Sequence, residues 1–205
     1  RIEALRQLAT RNTARAAELA LGALERPMDN FLDYTVWLTI NDLAEAWVAA
    51  VKSGAWLPAG REKQLEFGLK AIEPALASEI LGKLIGTTGV PRDGAGPWIE
   101  LIGSAGGPAE LRQLFEPLLR GEFTAAAALR TFAALGDAAR LRSVKPAGQL
   151  GGLAALLGSA NAPQRVAALQ LAGAWKLSEL TPQVVKAAGD AATPAAERMA
   201  AFTAL

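Results

Sequence analysis

Near its C-terminal end the sequence repeats itself. Arg165, Val166, Ala167, Ala168 and Leu169 fall on Arg198, Met199, Ala200, Ala201 and Phe202 at an offset of 33 residues. Arg1, Ile2, Ala4 and Leu5 fit the same template, and Phe132, Leu135 and Gly136 fit it loosely. A period of this length accommodates two short helices that cannot bury their apolar stripes alone, so neighbouring units must stack to make a core.

The residues between the repeats agree with this. Apolar side chains recur at a spacing of three or four: Ile2, Leu5 and Leu8; Ala16, Leu19, Ala20 and Leu24; Leu111, Leu114, Phe115 and Leu118. That is the period of a helix with one buried face. Ala, Leu, Arg, Glu and Gln dominate, all good helix formers, whereas β-branched residues never alternate over five or more positions. Gly or Pro interrupts the pattern at regular intervals. The expected fold is therefore all-α, an α-solenoid of stacked antiparallel helix pairs. It spans 1–205 as a single helical array, with helices near 29–52 (one, or two joined near Asn41), 123–136 and 146–158 among others. The segment 86–97, with four Gly, two Pro and two Thr, is expected to be a hinge loop.

Composition excludes much chemistry. With His 0 and Cys 0, the chain offers no imidazole base, no thiolate, and none of the usual protein ligands for zinc or haem, so no cofactor is expected. A formal net charge of +1 argues against affinity for nucleic acid driven by phosphate neutralisation. No apolar run is long enough to span a membrane. The Gly86-Thr87-Thr88-Gly89 turn lacks both the P-loop ending and the dinucleotide-binding spacing.

Pro163, Arg165, Val166, Ala168 and Leu169 resemble the second helix of a HEAT repeat, as do Arg198 to Phe202. The stretch from Asp29 to Tyr34, with Leu38, Thr39, Ile40, Leu43, Trp47 and Gly54, is similar to the helical region of large bacterial multi-domain proteins. Those proteins combine a sugar-dehydrogenase-like propeller with a haem-binding cytochrome module. The resemblance implies a periplasmic or exported parent protein. Haem binding does not carry over, because the attachment Cys and His are absent.

The function expected is a non-catalytic scaffold or protein-interaction segment of a larger protein, with protein partners or neighbouring domains of the same chain. The first and last residues both fall inside helical patterns, so both ends are read as cuts. Ile2, Leu5 and Leu8 at one end and Met199, Phe202 and Leu205 at the other are expected to leave uncovered stripes that self-associate weakly. The partner-binding residues expected are Trp56, placed in an exposed turn after Gly54, and the basic run Arg140, Arg142 and Lys145. Trp37 and Trp47 are ten residues apart, so one continuous helix would aim them about 80° apart. Two alternatives remain. A DNA-binding HEAT-like protein needs a basic groove. A carboxylate-only helical hydrolase needs two acids across a cleft, such as Asp29 and Asp33.

Overall fold

The computed structural model describes residues 1–86 and 89–205. Among the described residues there are thirteen α-helices, three short 3-10 turns and no strand. The chain is all-α, as the Ala- and Leu-rich periodicity predicts. It falls into two compact units, 1–87 and 88–205. The boundary lies within the expected hinge segment, at Thr87 and Thr88, which are outside the described residues.

The first unit contains α1 (Ile2–Ala9), α2 (Ala14–Leu21), α3 (Asn30–Asp42), α4 (Ala44–Ser53), α5 (Glu62–Ala71) and α6 (Pro74–Gly86). Thr13 and Asp29 cap α2 and α3, accepting hydrogen bonds from Ala16 N at 3.2 Å and Leu32 N at 2.8 Å. The expected 29–52 element is two helices: the chain bends at Leu43 between α3 and α4. Helix α1 packs on α3 and α3 on α5; α2 packs on α4 and α4 on α6. Leu21, Val36, Ile40, Leu43, Trp47, Leu65, Leu69, Ile80, Leu81 and Ile85 are buried at the centre.

The second unit contains α7 (Trp98–Ala105), α8 (Pro108–Leu119), α9 (Ala125–Arg142), α10 (Ala154–Leu157), α11 (Ala162–Trp175), α12 (Thr181–Gly189) and α13 (Ala195–Ala204). Here α7 packs on α9, α9 on α11 and α11 on α13, while α8, α10 and α12 pack on α9, α11 and α13 in turn. Helix α9 runs past the expected stop at Gly136 and ends only where Ser143 turns left-handed, at φ 57°. The expected helix at 146–158 forms only over 151–157, as a 3-10 turn (Gly151–Leu153) running into α10. Pro146 and the left-handed Gly148 (φ 78°) break it. The segment is instead held on α8, where Ala147 N donates to Pro108 O at 2.9 Å and Arg112 Nη1 donates to Gln149 O at 2.7 Å. The described part of 86–97 is also tied down. Thr124 N donates to Arg92 O at 3.0 Å, and Arg130 Nη1 donates to Gly94 O at 2.7 Å.

Polar ties between packed helices recur at sequence separations of 30 to 32 residues. Asn41 Nδ2 donates to Ala71 O across 30 residues, Arg130 binds Glu100 across 30, and Arg165 binds Glu197 across 32. Arg165 and Arg198 are each the fourth residue of their helices, α11 and α13, which lie side by side. Arg165 grips Glu197 with two parallel bonds, Nε to Oε2 at 3.0 Å and Nη2 to Oε1 at 2.6 Å.

The hydrogen bonds from Arg165 hold the Glu197 carboxyl below its ordinary value of 4.5. A depressed folded-state value means the contribution to stability is complete above the unfolded-state value and is lost as pH falls through the folded one. Glu197→Gln is therefore expected to lower the unfolding midpoint at neutral pH and to flatten its fall on the acid side of 4.5. Calorimetry across that range checks this, and an unchanged acid slope would remove the pair from the account.

Candidate functional site

Of the four residues expected to face a partner, Trp56 is buried, Arg142 is partly buried, and Arg140 and Lys145 are exposed. Trp56 is buried, only 3% exposed, which corrects its placement in an exposed turn. Gly54 ends α4 in the left-handed conformation, at φ 78°. The chain then reverses, Trp56 N donates to Ala50 O at 3.0 Å, and the indole returns against Trp47 edge to face at 5.7 Å. Arg61 covers its other side at 5.6 Å. Burial takes the Trp56 ring out of a partner's reach.

The basic run divides in two. Arg142 Nη2 donates to Gly103 O at 2.8 Å and Gly106 O at 2.9 Å, closing the C-terminal end of α7. Burial pushes its guanidinium below the ordinary value. Lys145 Nζ donates to the Trp175 carbonyl at the end of α11. Both cations therefore serve the C-termini of other helices, α7 and α11, where carbonyls lack partners and the dipole favours positive charge. Arg140 is exposed and pairs with Asp137, and Lys145 is exposed too although its Nζ is bonded to α11. Arg140 lines a groove of about 480 Å³ across α9, α11 and α13, with Leu129, Phe132, Gly136, Gln170 and Thr203. No Asp, Glu or Lys joins Arg140 in that lining.

The carboxylates expected as a pair, Asp29 and Asp33, do not face a common cleft: Asp29 caps α3 and Asp33 is exposed in its first turn. Asp42, further along the helix, binds Arg6 at 2.7 Å. Among the described residues, no group of three or more His, Cys, Asp or Glu side chains is placed to hold a metal. No described helix is long and apolar enough to cross a membrane.

The most distinctive surface lies on α3. Leu32, Thr35, Val36, Thr39 and Ile40 face the core of the first unit. Phe31, Tyr34 and Trp37 occupy the opposite face, one helical turn apart, and are 76%, 61% and 39% exposed. Tyr34 and Trp37 stack nearly parallel, with centroids 6.0 Å apart and planes 14° apart. Neighbouring side chains are polar: Asn30, Asp33, Asn41 and Asp42 are all exposed. Three aromatic rings in water on one helix are costly unless something covers them, since each large apolar side chain gains roughly 1.5–3 kcal/mol on burial. Aromatic side chains of this kind are also the ones enriched at the centres of protein interfaces.

Sequence reasoning missed this surface. The signal present was the spacing Phe31, Tyr34, Trp37, but apolar residues also fill the core-facing positions between them, so the pattern alone did not say which side faces water. Comparison with models of protein families, with curated proteins and with solved structures finds no match to this chain.

Proposed function

We propose that the chain is a protein-interaction scaffold of HEAT-like stacked helix pairs, serving as a segment of a larger, exported protein. The observation that carries this reading is the aromatic face of α3. It is formed by side chains that the fold leaves between 39% and 76% exposed, on a helix whose other side is fully committed to the core. The ties between packed helices at separations of 30 to 32 residues, and the matching places of Arg165 and Arg198, support the repeat. Such a stack holds a long row of helix faces in fixed register, which suits it to present a surface.

A photo-cross-linking amino acid at position 34 of the full chain tests the reading. The expected result is a discrete cross-linked product in extracts of the producing organism, lost when Phe31 and Trp37 are changed to Ser while the unfolding midpoint stays near wild type. The interaction reading fails if no product forms, or if the Ser changes unfold the first unit and so show the rings to be structural.

A second surface favours weak self-association. Met199, Phe202 and Leu205 lie one turn apart on α13 and are at least 63% exposed. Sedimentation is expected to show a concentration-dependent dimer that Phe202→Asp removes. A strict monomer at high concentration would show that this face is idle.

A further inference from the structure

We infer that the aromatic face of α3 takes an arginine-bearing segment of a protein partner. This rests on the interaction reading above and names the chemistry of what binds. The first observation is charge. From Pro27 to Val51 the sequence holds Asp29, Asp33, Asp42 and Glu45 and no Lys or Arg. Helix α3 and the first two turns of α4 therefore carry acidic groups and no cation, with Lys52 only in the last turn of α4, although the chain as a whole is almost neutral. Asp42 is satisfied by Arg6, and Asp29 by its cap. Asp33 and Glu45 are exposed and have no cationic partner among the described residues.

The second observation is ring geometry. Tyr34 and Trp37, stacked with planes 14° apart, offer adjoining π-faces, and π-faces attract cations. Asp33 lies four residues before Trp37, so its carboxylate shares that edge of the helix. A guanidinium laid on the outer face of this ring pair can meet Asp33 through its N–H groups. This planar, multiply donating cation suits the place better than the point charge of an ammonium. Phe31, the most exposed of the three at 76%, sits one turn away and takes an apolar neighbour in the same segment. The stripe from Phe31 to Trp37 is about 9 Å long at helical rise, the reach of roughly three residues of an extended strand. A short motif of alternating cationic and apolar residues matches it.

Fluorescence anisotropy of a labelled peptide alternating Arg and Leu, titrated with the full chain, tests the inference. Two counterparts carry Gln or Glu in place of Arg. The Arg peptide is expected to bind about tenfold or more tightly than the Gln peptide, and the Glu peptide weakest of all. Trp37→Ala should weaken the Arg peptide about tenfold, and Asp33→Asn about threefold with a smaller dependence on salt. Tyr34→Ser, at a more exposed position, serves as a second variant if Trp37→Ala is unstable. If the Gln peptide binds as well as the Arg peptide and Tyr34→Ser weakens both, the cationic preference is wrong while the interaction reading stands. Binding of the Arg peptide that neither ring variant changes places it elsewhere and overturns the inference. No binding of any peptide overturns it too.

Discussion

Trp175→Ala is expected to destabilise the second unit by about 3–5 kcal/mol, the range for removing a large aromatic side chain from a packed core. The indole is fully buried and meets the Phe115 ring edge to face at 5.0 Å, which joins α11 to α8. Truncation leaves a cavity whose cost adds to the lost transfer energy. Trp175→Phe is expected to cost much less. A phenyl ring keeps an apolar contact with Phe115, and it removes an indole N–H that is buried without a partner among the described residues. Such an unsatisfied donor costs about 1–3 kcal/mol by itself. Denaturant unfolding of the two variants, with hydrogen exchange in α8, α9 and α11, checks both parts. Equal losses for Phe and Ala would mean that the N–H has a partner and that the ring contact is not the main term.

The helical class was legible because it rests on a period repeated along the whole chain, where local errors cancel. The surface was not, because it depends on which side of each helix the next layer covers. Phe31, Leu32, Tyr34, Val36, Trp37 and Ile40 wrap most of α3 with apolar groups, and it is the packing of α1, α2 and α5 that assigns Leu32, Val36 and Ile40 to the core. Trp37 and Trp47 do differ in environment, one 39% exposed and the other fully buried. The cause is the bend at Leu43, not the phase of a single helix. Trp56 looked exposed because Gly54 marks a turn. The same left-handed glycine sends the chain back over the helix it ends, and that reversal buries the ring. The run Arg140, Arg142 and Lys145 looked like one patch. Two of its members instead supply donors to carbonyl groups at the ends of α7 and α11, more than 25 residues away in sequence. A cation near the end of its own helix is easily predicted. One that closes another helix needs the layer spacing first.

Two glycines in the second unit should answer the same substitution with opposite signs. Gly103, in α7, sits against Ala134 of α9. An added Cβ would lie 2.7 Å from the Ala134 Cβ, 3.0 Å from its Cα and 3.1 Å from its carbonyl oxygen. Backbone atoms cannot step aside as a flexible side chain would, so α7 and α9 would have to separate. That movement also pulls on the bonds from Arg142 to Gly103 O and Gly106 O. Alanine is the better helix former by roughly 0.8–1 kcal/mol, but overpacking of this kind costs about 1–3 kcal/mol. Gly103→Ala is therefore expected to be destabilising overall. Gly136 lies inside α9 with nothing within 4 Å of an added Cβ. There the helix preference acts alone, and Gly136→Ala should stabilise by about 0.5–1 kcal/mol. Gly173 is an intermediate case. Its added Cβ would lie 2.5 Å from the Ala204 Cα, but α13 packs chiefly on α11 and α12 and, at the edge of the unit, can shift more freely than α9. Gly173→Ala should accordingly fall between the other two. Denaturant midpoints for the three variants give the order directly, and a stabilising Gly103→Ala would show that α7 does not approach α9 as closely as the helix backbones now place them.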